Sequence, residues 1–375
     1  MLGSCRLFSG RRSVSEIANM QNLAERDLGT KSSTTATRNT PETRLSLLSI
    51  IPPELLAEIF SLAVLSGPIM PDPACARART HMKWVLAHVC NRSRAIAFSL
   101  PRLWTEVDIH FCGKHGSPET YSAAILQAQL ERSRHLPLHI VFDCDLGLGH
   151  LYTASNAVAA HQVLLLRQLI GHCARWATVM IRGRDPILSV LAEVKGGLPH
   201  LAELGINTLG SCPDFQTTAA DAFADAPNLR VVFINQNPHL GSLPGALTVD
   251  STRIERYAGW NTWAGHAAVL QRCAATLRAC CLDTASVEPS PVVVLPALRT
   301  LCVRRATILQ FVTAPALEEF MGCGTGAVPI ISFLEHSGCA LKRLVMCHTR
   351  GTCASRPWTG NPTSSTSSSS TCVAI

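Results

Sequence analysis

Three stretches carry residue types that could do chemistry, and none has the spacing a reaction centre needs. His110-Phe111-Cys112-Gly113-Lys114-His115 offers two histidines and a thiol, but no second pair of ligands stands at zinc-site spacing, so it reads as a solvated loop. Cys280 and Cys281 are adjacent, so a strand sends them to opposite faces, and no neighbouring base would activate either thiol. Gly322-Cys323-Gly324-Thr325-Gly326 is glycine-rich but has no lysine to meet a phosphate. The Gly-x-x-x-x-Gly-Lys-Ser/Thr loop, the Gly-x-Ser-x-Gly elbow, His-Glu-x-x-His and a post-strand Gly-x-Gly-x-x-Gly are all absent. The 14 histidines are scattered. The sequence therefore predicts no enzyme, no metal and no cofactor. What remains is the chemistry of binding.

Composition narrows the partners. A chain of 375 residues has room for one large domain or two, and 47% hydrophobic against 16% charged residues excludes a mostly disordered protein. The formal charge of +7 is spread over separated arginines (Arg77, Arg92, Arg132, Arg182, Arg304), with no basic run interleaved with aromatics, so nucleic acid is not expected. Sixteen cysteines are spread along the chain, without a Cys-x-x-Cys pair or a secretory signal, and Cys90 and Cys302 take apolar positions. That pattern predicts reduced thiols and a cytoplasmic or nuclear protein. Met1–Ser15 is basic like an import presequence, but Glu16, Glu25 and Asp27 soon break the pattern. The most apolar helix candidate, Ala157–Ile170, contains His161 and Arg167 and reads as a buried helix of a soluble protein, so no membrane is expected either.

The elements that would position a binding surface begin at Ile51-Pro52-Pro53-Glu54-Leu55-Leu56-Ala57-Glu58-Ile59-Phe60. Pro53 suits a first helical position, Glu54 and Glu58 suit the positive end of the dipole, and Leu55, Leu56, Ile59, Leu62 and Ala63 recur at helical spacing. Trp84 to Ala97 follows, with Val89-Cys90 at its centre, and then Leu100-Pro101-Arg102-Leu103-Trp104. This order of Leu/Ile-Pro-x-Glu-Leu-Leu, Ile-Phe, Val-Cys and Pro-x-Leu-Trp segments resembles an F-box over residues 48–109. It departs at Ser93, where the family has Trp, and in the longer Pro-rich connection 66–82. The resemblance implies a helical trio that docks an Skp-type adaptor of a cullin-RING ubiquitin ligase through Pro52, Leu55, Leu56, Ile59, Phe60, Val89, Cys90, Ile96, Leu103 and Trp104. A few apolar anchors suffice for such an interface. Each of these residues has packing within the domain as its alternative, most of all Leu103 and Trp104.

Beyond residue 110 the signal is repetition. Trp176-x-x-Val179-x-Ile181, Leu201-x-x-Leu204-x-Ile206, Leu229-x-x-Val232-x-Ile234, Ile254-x-x-Tyr257, Leu277-x-x-Cys280-x-Leu282, Leu298-x-x-Leu301-x-Val303, Leu317-x-x-Phe320 and Leu341-x-x-Leu344-x-Met346 align, and Trp104-x-x-Val107-x-Ile109 fits the same phrase. Leucine-rich repeats share this strand and a period of about 20–29 residues. Gly259 and Gly322 stand where a third apolar residue belongs, so the array is irregular. Pro199, Pro227, Pro296 and Pro315 precede leading positions, where a strand can begin without a ladder donor. With alternate residues inward, Glu203, Gly205 and Asn207 point out along the concave side, as do Phe233, Asn235, Arg256, Trp260, Asp283, Arg304, Glu319, Met321 and Arg343. These form the expected contact surface for a protein target.

The expected fold class is α/β: a small helical F-box followed by an irregular leucine-rich-repeat-like solenoid. The expected segments are a disordered lead at 1–44, the F-box-like helices at 45–110, the repeats at 111–350 and a disordered Ser/Thr-rich tail at 351–375. The whole order resembles the F-box families of mushroom-forming fungi. It implies a non-catalytic substrate receptor of an SCF-type ligase; the alternative is a repeat scaffold that binds a protein partner with no ligase role.

Overall fold

Strands form where the repeated phrase predicts them, and at Leu138–Asp143 besides, where it predicts none. In the computed structural model they are β1 (Glu106–His110), β2 (Leu138–Asp143), β3 (Trp176–Gly183), β4 (Glu203–Thr208), β5 (Val231–Gln236), β6 (Arg256–Asn261), β7 (Ala279–Thr284), β9 (Thr300–Val303), β11 (Glu319–Cys323) and β12 (Arg343–Cys347). All ten are parallel and pair in chain order. β13 (Cys372–Ala374) adds an eleventh strand, antiparallel to β12, and β8 (Val293–Val294) and β10 (Val312–Thr313) make a separate two-stranded ribbon. The fold is mixed α/β around one large, mainly parallel sheet. The residues described are 50–65, 82–111, 121–144, 156–185, 187–194, 196–209, 221–236, 249–284, 291–323, 326–347 and 372–374. The chain separates into Met1–Pro52 and Pro53–Ile375, and the second unit holds every element named here. The predicted lead at 1–44 lies outside the described residues, as does the predicted tail apart from β13.

The register follows the phrase. Val107, Ile140, Val179, Leu204, Val232, Tyr257, Cys280, Leu301, Phe320 and Leu344 form one row across the sheet. Ile109, Phe142, Ile181, Ile206, Ile234, Gly259, Leu282, Val303, Gly322 and Met346 form the next. Side chains of both rows enter a core shared with the connecting segments, as the period of two along a strand requires. A third ladder runs beneath the strands: Arg230, Glu255, Arg278, Arg299, Glu318 and Lys342 each donate a backbone N–H to the carbonyl one unit earlier.

The prolines act one step before the strands. Leu201, Leu229, Leu298 and Leu317 donate to the carbonyls of Leu198, Ala226, Leu295 and Ala314, which closes a tight turn around Pro199, Pro227, Pro296 and Pro315. Each proline thus holds the second position of a turn, where its fixed φ is preformed, and not a strand's first residue.

The return segments cover one face. They include α-helices at Ala123–Arg132, Asn156–Ile170, Trp263–Cys273 and Ala327–Ser337, and 3₁₀ turns at Leu188–Glu193 and Ala306–Phe311. Ser122 accepts from the Ala124 N–H, Thr262 accepts from the Gly265 N–H, and Gly338 at φ 62° ends the last of these helices. In Asn156–Ile170, Leu165, Leu166 and Leu169 are buried, while Arg167 reaches out to Glu193 at 2.8 Å. Ahead of β1 stand α1 (Pro53–Leu65), α2 (residues 82–89), α3 (Asn91–Ser99) and a 3₁₀ turn, Pro101–Trp104.

Candidate functional site

Two surfaces emerge from this frame. The first is helical. On α1, Leu56, Phe60 and Val64 are buried, while Leu55, Ile59 and Leu62 follow one another at helical spacing and are about half exposed (51%, 49% and 57%). On α2, Met82, Val85 and Val89 are likewise exposed, at 39%, 55% and 53%. The ten residues expected to dock an adaptor therefore divide. Pro52, Leu55, Ile59 and Val89 are open to a partner, whereas Leu56, Phe60, Ile96, Leu103 and Trp104 are core residues. Cys90 has a third role: its sulfur caps α3 by accepting from the Ser93 N–H at 3.3 Å. Leu62, Met82 and Val85 extend the open set, and only Leu62 carried a sequence signal, its place in the apolar period of α1.

Ser93, the departure from the family pattern, is buried, with its hydroxyl 3.2 Å from the Cys90 sulfur. Aromatic bulk comes from elsewhere. Trp104 donates its indole N–H to the Ala97 carbonyl at 2.9 Å and meets Trp84 edge-on at 4.9 Å, with Phe98 at 5.8 Å. The Arg132 guanidinium lies against all three rings, at 4.0 Å from Phe98, 4.8 Å from Trp104 and 5.1 Å from Trp84. Lys83 is buried and donates to the Glu106 carbonyl at 2.6 Å, which also accepts from Gln129 at 2.6 Å. The Thr105 carbonyl turns inward to His139 of β2, so Glu106 presents the free edge of β1, and Lys83 and Gln129 satisfy it. Burial lowers the Lys83 ammonium to about 8 against the pull of Asp108 and Glu106. The edge bonds join α2 to β1, and the cation–aromatic contact joins the helices to the return helix Ala123–Arg132.

The second surface is the sheet face opposite the core. Glu319, Met321, Asn235, Phe233 and Trp260 are half-buried on it, and Arg343 is exposed. Arg256 reaches Glu203 across β5 at 3.2 Å, and Arg304 holds Asp283 at 2.9 Å, so these two arginines and Asp283 are already engaged within the protein. Gly205 corrects an expectation: it is buried, because Met180 of β3 lies over it with its sulfur where a Cβ would be. Asn207 beside it is half-buried.

Behind that face lies a polar pair. Tyr257 and His266 are buried, the Tyr257 oxygen is 3.0 Å from His266 Nδ1, and His266 Nε2 is 3.0 Å from the Asp283 carbonyl. A carbonyl only accepts, so Nε2 carries the proton, and the tyrosine hydroxyl donates to Nδ1. Burial pushes His266 down to about 4 against the contribution of Asp283, so it is a neutral structural ring near pH 7. Burial also raises the thiols of Cys273, to about 12, and Cys280, which leaves them weak nucleophiles. Among the described residues no group of three or more His, Cys, Asp or Glu side chains converges as a metal site would. His110 lies 3.6 Å from Asp143 in the outer row, while 112–115 of the same run lie outside the described residues.

No protein-family model matches this chain, and no curated protein matches its sequence. No helix among the described residues is long and apolar enough to cross a membrane.

Proposed function

We propose that this chain is a non-catalytic F-box substrate receptor of an SCF-type cullin-RING ubiquitin ligase, working in the cytoplasm or nucleus. In this reading α1–α3 and the Pro101–Trp104 turn are the F-box that docks an Skp-type adaptor. The ten parallel strands are an irregular leucine-rich-repeat-like solenoid whose open face takes a protein target. Other subunits transfer ubiquitin, and this chain contributes position alone. The observation that carries the reading is the split of α1: Leu56, Phe60 and Val64 hold the helix down while Leu55, Ile59 and Leu62 stand in water. Exposed apolar side chains gathered on one helix mark an interaction site more often than a plain surface.

One observation favours a second reading, a repeat scaffold with no ligase role. Lys83 ties α2 to the free edge of β1 and Arg132 ties the helices to the return helix Ala123–Arg132, as a solenoid cap would require. Mixing the purified full-length chain with a recombinant Skp-type adaptor separates the two. A co-eluting complex is expected for the receptor; an adaptor that never binds the intact chain removes the ligase role and leaves the cap.

A further inference from the structure

Cys281 and Cys302 occupy adjacent parallel strands and are direct register partners in β7 and β9. Their side chains share the open face, since Cys280 and Leu301 beside them point into the core. Each thiol is the other's hydrogen-bonding neighbour, and Arg304, at the next outward position, lies close enough to act on the Cys302 sulfur. Access differs between the two. Cys281 is half-buried and reachable from solvent, whereas Cys302 is 4% exposed. Paired strands lie about 4.8 Å apart, inside the roughly 4.4–6.8 Å that a disulfide spans between Cα atoms.

We propose that Cys281 and Cys302 form a reversible dithiol–disulfide pair on the open face, with Cys281 the attacking and Cys302 the resolving thiol. The oxidant is a low-molecular-weight disulfide of the glutathione class. The Cys281 thiolate attacks one of its sulfurs and expels the first small thiolate, giving a mixed disulfide. Cys302 then gives its proton to solvent and attacks the Cys281 sulfur, expelling the second. Two protein thiols and one small disulfide become one protein disulfide and two small thiols, and the protein loses two electrons and two protons. The bond pins β7 to β9 in the midst of the row Phe233, Ala258, Cys281, Cys302 and Met321. A second close pair provides a contrast: Cys273 and Cys280 also lie near one another, but both are buried on the core side, out of reach of an oxidant.

The test uses the folded full-length chain in glutathione mixtures of rising oxidised fraction, quenched by alkylation and read by peptide mass spectrometry. A peptide linking 281 to 302, two hydrogens lighter than the sum of its parts, should appear and be reversed by dithiothreitol, while Cys273 and Cys280 stay reduced. Cys302→Ala should abolish the link and leave Cys281 carrying one glutathione. If that variant of a buried thiol melts early, Cys281→Ala serves instead and should leave Cys302 without an adduct. The proposal is overturned if Cys281 takes up glutathione in the unsubstituted protein without ever linking to Cys302, or if the link forms only under denaturing conditions.

Discussion

His266 sits in the core, where burial keeps its ring neutral, with Tyr257 donating to one ring nitrogen and the Asp283 carbonyl accepting from the other. Its folded value is about 4 against an ordinary 6.5, so between those limits the unfolded chain binds a proton that the folded chain refuses. The associated stability is present in full above pH 6.5 and is lost as pH falls toward 4, with a slope of up to about 1.4 kcal/mol per pH unit. Urea unfolding at pH 7 and pH 5 should show this fall. His266→Gln, which keeps a donor and an acceptor but does not titrate, should show less of it. Gly259 gives a second expectation at this scale. A Cβ there would lie 2.4 Å from the Ile234 carbonyl oxygen and 3.3 Å from the Tyr257 hydroxyl. Gly259→Ala should therefore lower stability by about 1–3 kcal/mol in thermal melting. The irregularity noticed in the repeat at Gly259 thus has a steric reason, since the strand passes too close to its neighbour for a side chain.

Among the ten parallel strands, β2 was the one the repeated phrase did not disclose. Leu138-x-Ile140-x-Phe142 has one residue fewer between its leading and second positions than Trp176-x-x-Val179, and the ladder absorbs the difference in a register shift between Leu138 and His139. A pattern keyed to fixed spacing passes over a strand that enters early. The other strands were legible because both of their apolar positions keep one spacing, which the pairing preserves row by row. For the same reason Leu298→Asp, which puts an unpaired charge in the core, should cost about 3 kcal/mol or more; unchanged melting would refute the inward assignment. The helices were legible in part. Spacing placed Leu55, Leu56 and Ile59 in one apolar period, and only the packing divides them, covering Leu56 and Phe60 and leaving Leu55 and Ile59 open. The exposure of Val85 and Met82 depends on that packing and could not be read from α2 alone. Arg132 holds the three rings together, and Arg132→Ala should cost about 1–2 kcal/mol and make residues 53–104 cleave earlier in limited proteolysis. Proteolysis unchanged from the parent would show that the helices do not depend on this contact.

At the scale of the molecule, the sequence conveyed the sheet's order and register more fully than its candidate sites. Burial of alternate residues leaves a periodic record along a strand, whereas a binding row is set by what stays uncovered. The pairing of Cys281 with Cys302 is of the second kind, because they stand 21 positions apart and only the ladder brings them together. In the receptor reading, the outward row of α1 docks an adaptor while its inward row holds the fold. Titration of a recombinant Skp-type adaptor into the full-length chain and into Leu55→Asp/Ile59→Asp tests it most directly, with melting followed on both. Loss of two central apolar anchors should weaken binding by about 100-fold or more, while the melting temperature stays close to the parent's because both side chains already stand half in water. An adaptor that binds the double variant as tightly as the parent would contradict the claim.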